Sequence, residues 1–132
     1  MADITQAVYD RLSNYSGLTA LVPSTRMYPV RAEQKPTRPY LVFRHVGTEP
    51  RQGAFDGDIG IADPRITVDC YADTLASARA VSEQVRGAMQ RWSGTHASVV
   101  VLDSQIEDEF DDYDEDIRAY VTTLDLQVMS RE

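Results

Sequence analysis

The chain has 132 residues, 42% of them hydrophobic and 26% charged, with a formal charge of −8. That length fits one domain, 1–132, able to bury a core without staples. An acidic total argues against general nucleic-acid binding, which needs surplus Lys and Arg to neutralise phosphate. No run approaches the ~18 apolar residues of a membrane helix. The one cysteine, Cys70, excludes an intramolecular disulfide and suits a reducing compartment. Met-Ala-Asp-Ile-Thr lacks the basic-then-apolar pattern of a secretion signal.

Taken in order, Asp3 is an N-cap and Gln6 completes a capping box. Ile4, Ala7, Val8, Leu12 and Tyr15 share one helical face, which predicts a helix over about 3–14. Leu18, Leu21 and Val22 suggest a further short turn, stopped by Pro23. Met27–Val30 reads as a short edge strand, because proline is tolerated there. Residues 31–38 read as loop. Tyr40–Val46 is the first long strand, starting after Pro39. Thr48–Asp63, with Gly53, Gly57, Gly60 and Pro50, reads as an unusually long connection of the functional kind.

Pro64–Ala72 alternates, with Ile66, Val68 and Cys70 opposed to Thr67, Asp69 and Tyr71. The period then changes. Leu75, Ala78, Val81, Val85, Met89 and Trp92 form a helical stripe, capped by Asp73 or Thr74 and closed by Gly94. Ser98 to about Asp111 and Ile117–Met129 are the remaining strands, with the acidic run in the turn between them. The expected fold class is α+β: helix-strand-strand-helix-strand-strand. It folds as one mostly antiparallel sheet of about four strands with two helices on one face.

Charge is unevenly distributed. Residues 107–116 hold eight acids and no base, while the rest of the chain balances 13 acids with 13 bases, 12 of them Arg. Arg26, Arg31, Lys35, Arg38, Arg44 and Arg51 make the stretch 26–51 basic. Arg favours planar pairing with carboxylates, a preference used at protein interfaces.

Candidate chemistry is sparse. Asp112, Asp114 and Asp116 copy alternate positions of a calcium loop, but Ile117 stands where its turn needs Gly and Thr123 where it needs Glu. The run reads as a solvated hairpin tip or an electrostatic contact with a basic partner, and a looser cation site stays open. There is no Gly-x-Ser-x-Gly elbow. His45, His96 and Cys70 lack zinc-ligand spacing. The glycines at 53, 57 and 60 fit neither phosphate-binding fingerprint. No catalytic residue, cofactor or metal ligand is expected, although a small acidic metal-binding module or enzyme remains an alternative.

Several stretches carry a resemblance in succession. They are Leu18-Thr19-Ala20-Leu21-Val22, Arg26-Met27-Tyr28-Pro29, Arg38-Pro39-Tyr40-Leu41-Val42-Phe43 and Ile66-Thr67-Val68-Asp69-Cys70-Tyr71-Ala72-Asp73. Ala78-Arg79-Ala80, Val85-Arg86, Ile106-Glu107-Asp108 and Tyr120-Val121-Thr122-Thr123-Leu124-Asp125-Leu126 follow. Together they resemble the tail-completion, or tail-terminator, proteins of long-tailed bacteriophages and related gene-transfer particles.

The resemblance implies a virion protein assembled in the host cytoplasm, without catalysis. Its relatives form a ring, usually a homo-hexamer, on the head-proximal end of the tail tube. The ring stops polymerisation of the major tail tube protein and offers a surface to the head-completion or connector protein. Another head–tail connector or minor tail component is the nearest alternative. The residues expected at subunit or partner interfaces are Arg31, Arg38, Arg44, Arg51, Phe55, Asp112, Asp114 and Asp116. In a ring each subunit meets its neighbour through two different patches, and a basic patch facing an acidic tip would suit that contact.

Overall fold

The computed structural model describes residues 3–53 and 57–131, with backbone alone for 48–53 and 57–60. Helix α1 spans Ile4–Ser13, and Asp3 accepts the Thr5 N–H at 3.0 Å. Its apolar stripe buries Ala7, Val8 and Leu12. The expected short turn is α2, Ser16–Thr19, which buries Leu18. A 3₁₀ turn, Ser24–Arg26, leads into β1, Met27–Pro29. The strands β2, Tyr40–Gly53, and β3, Gly57–Ala72, follow.

Helix α3 runs Leu75–Met89. Thr74 caps it, its hydroxyl oxygen accepting the Ser77 N–H at 3.1 Å. Arg91, at φ 60°, turns the chain away and donates its N–H to the Ser104 carbonyl at 2.7 Å. Trp92 stays buried just beyond the helix. The last strands are β4, Gly94–His96, β5, Val99–Asp114, and β6, Ala119–Arg131.

The sheet has six strands in the order β1-β2-β3-β6-β5-β4. β1 pairs with β2 in parallel and every other pairing is antiparallel, so the sheet is mixed. The α+β class holds, with three α-helices among the described residues, but the count of about four strands was too low. β1 and β4 span three residues each, too short to show a period.

One face of the sheet carries the core. Leu41, Phe43, Ile66, Val68, Cys70, Leu124, Leu126 and Val128 meet Val8, Leu12, Leu18, Val81, Val85 and Met89 of the helices. The opposite face displays Thr67, Asp69, Tyr71, Thr123 and Asp125, the alternate residues of the same strands.

Two expectations are corrected. Within Thr48–Asp63, residues 48–53 and 57–63 are not a long loop but the outer parts of β2 and β3, paired as far as Gln52↔Asp58 and Gly53↔Gly57, while 54–56 lie outside the described residues. The Gly and Pro residues of this stretch read as breakers. A strand at a sheet edge tolerates proline, and Pro50 sits at a register shift of just such an edge. Likewise, the strand expected to end near Asp111 runs on to Asp114 and takes more of the acidic run out of the turn. Residues 107–114 lie on β5, leaving Glu115 and Asp116 in the connection to β6. A carboxylate-rich sequence scores poorly as strand, yet backbone pairing with β6 overrides that preference.

Candidate assembly surfaces

The two faces of β5 treat its acids differently. Toward the helices, Asp111 Oδ2 pairs with Arg79 Nη2 at 2.6 Å and Glu109 pairs with Arg86. Nearer the strand's start, Asp103 pairs with Arg91 at 2.8 Å. Asp111 also accepts the Thr122 hydroxyl at 2.7 Å. These contacts fasten α3 to β5.

On the other face, Asp112, Asp114, Glu115 and Asp116 line a groove of 380 Å³ with Phe110 and Tyr113, over Tyr71, Val121 and Thr123. Among the described residues none of these four acids has an ion-pair partner. Asp112 accepts the Tyr113 N–H at 2.8 Å, and Asp114 the Asp116 N–H at 3.0 Å.

The basic stretch is engaged within the molecule. Arg26 Nη1 donates to the carbonyls of Arg38 and Pro39 at 3.1 and 3.3 Å. Arg38 Nη1 donates to Asp73 Oδ1 and to the Arg118 carbonyl, both at 3.0 Å, and its Nη2 to the Ile117 carbonyl. Arg44 pairs with Asp69 at 3.1 Å, and Asp69 also accepts the Thr123 hydroxyl at 2.7 Å. Arg31 is exposed and borders a second groove with Val30, Val42 and Tyr71. The structure therefore brings Arg31, Arg38 and Arg44 to the same end of the sheet as Asp112, Asp114 and Asp116. The Arg51 side chain and Phe55 lie outside the described residues.

Tyr40 and Tyr71 connect the two grooves, and sequence reasoning did not single them out as a surface. Tyr40 stacks on Tyr71 at 4.8 Å and meets Tyr28 edge-on at 6.0 Å, while Tyr113 meets Tyr120 edge-on at 4.9 Å. Tyr71 also lines both grooves. Burial first, then the nearby Asp69 carboxylate, pushes its phenol up to about 12. At the rim Phe110 is 50% exposed and Tyr113 42%. Strand alternation in the sequence put Phe110 with the buried residues, and the structure corrects this: register turns it outward between acids, half-exposed.

At the opposite end, β6 pairing stops at Ile61↔Arg131, and β2–β3 continues as a two-stranded arm to Gly53↔Gly57. At ~3.3 Å per residue, the arm's far end lies roughly 45 Å from Tyr71. Cys70 is wholly buried in the core, and burial pushes its thiol up. His45 and His96 lie toward opposite edges of the sheet, on β2 and β4. Among the described residues no three His, Cys, Asp or Glu side chains gather as a metal site would require. Among them, too, no helix is long and apolar enough to cross a membrane.

Comparison with known proteins fits this architecture. The family model described as "Tail completion protein gp17" matches residues 6–131. A chain of the solved structure "Virion of native gene transfer agent (GTA) particle" superposes with a TM-score of 0.73 at 15% identity, covering 96% of this chain and 92% of that one. A second solved chain superposes with a TM-score of 0.62 at 18% identity, covering 95% and 92%. No curated protein matches in sequence. The match over nearly the whole length establishes that the chain belongs to the tail completion protein gp17 family, a family of structural proteins of the bacteriophage tail.

Proposed function

We propose that this protein forms a ring, as a homo-hexamer, on the head-proximal end of a tail tube. The ring stops polymerisation of the major tail tube protein and presents a surface to the head-completion or connector protein. The family match over residues 6–131 carries this reading. The likeness to a gene-transfer-agent virion chain supports it. So does the form of the subunit, with a grooved end and a two-stranded arm at opposite ends of one sheet. A ring subunit on a tube meets different partners above and below, while heterologous side contacts close the circle.

In this arrangement Arg51 belongs to the arm, and Arg31, Asp112, Asp114 and Asp116 to the grooved end. Arg38 and Arg44 serve that end by holding its shape through Asp73, Asp69 and the 117–118 carbonyls.

The test is electron microscopy of particles made with and without the protein. Its omission should give headless tails of uncontrolled length, and adding purified protein should restore length and head joining. Tails of normal length already joined to heads in its absence would refute the proposal.

A further inference from the structure

We infer that the outer edge of β5, over residues 107–113, meets the β1 side of a second copy, residues 30–35, and that this is the lateral contact of the ring. The inference rests on the ring proposed above and names the two patches that close it.

Both lateral edges of the sheet are open. β4 covers β5 only at residues 99–101. The next outward groups are also taken: the Arg91 N–H donates to the Ser104 carbonyl, and the Gln90 side chain accepts the Ile106 N–H at 2.8 Å. Beyond them no strand flanks β5 among the described residues, and residues 107–113 are all exposed. The Glu109 and Tyr113 N–H groups donate to the carboxylates of Asp108 and Asp112, each at 2.8 Å, a local substitute for a neighbouring strand. At the other edge β1 is the last strand, three residues long. Exposed Val30, Arg31 and Lys35 follow it.

The two edges are alike in plan and opposite in charge. Asp108, Phe110 and Asp112 alternate along β5, so they share the face away from the helices. Phe110 is half-exposed there, between acids that have no ion-pair partner among the described residues. On the β1 side Val30 is 62% exposed beside Arg31. Arg31 and Lys35 likewise have no ion-pair partner among the described residues, and Glu33 is the one acid between them. The register Tyr28–Val42–Asp69–Thr123–Phe110 sets Phe110 on the same row across the sheet as Tyr28, two residues before Val30. The two patches therefore stand at nearly the same height on opposite sides of the subunit, as neighbours in a ring require.

Like edges do not match. β5 against β5 sets acid on acid, and the β1 side against itself sets Arg31 and Lys35 on their counterparts. A contact between unlike edges is the heterologous kind that closes by rotation. The other exposed bases suit the acidic edge less well. Arg118 follows Glu115 and Asp116 in the turn before β6, and Arg131 ends β6 at the far end of the sheet from the acids. β6 is an inner strand, so neither base lies on a lateral edge.

Tail assembly with the intact chain tests this, with wild type as reference. Asp108→Arg with Asp112→Arg makes the β5 edge basic, and Arg31→Glu with Lys35→Glu makes the β1 side acidic. Each variant alone should lower the yield of length-controlled, head-joined tails by about tenfold or more. An equal mixture should restore it, because the two kinds of subunit then alternate around the ring. Separately, a short bis-maleimide linker should join subunits of a Val30→Cys/Phe110→Cys chain into a ladder in assembled tails, with no product from either single variant, since Cys70 is buried. Full activity of either charge variant, an inactive mixture of folded variants, or absence of the ladder would overturn the inference. A failing β5 variant beside a fully active β1 variant would assign the β5 edge to a different protein. Linked dimers from Phe110→Cys alone would assign it to a two-fold contact. If wild type itself restores no tails, the ring reading falls; if it does and the variants match it, this contact alone is rejected.

Discussion

Arg79 on α3 holds Asp111 on β5 through two donors, Nη2 at 2.6 Å and Nε at 3.2 Å, both to Oδ2. The pair shows that a run of acids can be divided between two tasks by the pleat alone. Beyond the register shift at 106–108, Glu109 and Asp111 anchor the helix, while Asp112 and Asp114 face the groove.

That pair sets a pH dependence. The hydrogen bond from Arg79, then that from Thr122, holds the Asp111 carboxyl below its usual 3.8. A carboxyl lowered in the folded state contributes stability above the unfolded value and loses it as pH falls through the folded one. Asp111→Asn should therefore be less stable than wild type at pH 7. The two denaturation curves should converge below pH ~3.8 as the wild-type carboxylate protonates. Urea unfolding at several pH values measures this, and parallel curves down to the lowest pH would contradict it.

Tyr71 gives a test at the alkaline end. Its phenol is raised from 10.0 to about 12 by burial and then by Asp69. Unfolded chains ionise this tyrosine first, so stability should decline as pH rises from about 10 to about 12. In an ultraviolet absorbance titration, Tyr71→Phe should remove a late phenolate step. Asp69→Asn should move that step to lower pH.

The β4–β5 turn is strained. Ala97 and Ser98, its two central residues, have φ of 50° and 67°, the left-handed region that favours Asn and Gly in such hairpins. Ala97→Asn with Ser98→Gly should raise stability by about 1 kcal/mol. Thermal unfolding of the double variant checks this.

Trp92 donates its ring N–H to His96 Nε2 at 2.9 Å, so His96 Nδ1 carries the proton and donates to Asp10 at 3.1 Å. His96→Ala leaves the buried indole N–H unsatisfied and should cost about 1–3 kcal/mol. Trp92 is the sole tryptophan, so its fluorescence reports the change directly.

Core truncation provides a reference. Met89 is fully buried against the sheet, and Met89→Ala should cost about 2–5 kcal/mol. The shift in denaturation midpoint between wild type and variant measures it, and an unchanged midpoint would contradict the packing.

Local order in this protein follows from its sequence. The period-2 pattern at Ile66, Val68 and Cys70 and the helical stripe from Ala78 to Met89 each depend on near neighbours. So do the caps at Asp3 and at Thr74, the latter one of two candidates, and these fell where expected, whereas the helix stops at Met89, short of the Trp92 and Gly94 expected to end it. Short-range periodicity and capping need no knowledge of distant chain. Tertiary structure decided what those rules cannot reach. β-pairing made the outer part of β2 and β3 a two-stranded arm and extended β5 past the expected end near Asp111 to Asp114, because a partner strand satisfies backbone groups that local propensity would leave to a loop. Register decided which acids meet Arg79 and Arg86 and which face Tyr71, since a shift of one residue would exchange the two sets. Arg38 likewise reaches carbonyls 79 and 80 positions away, a contact that only the closed fold creates.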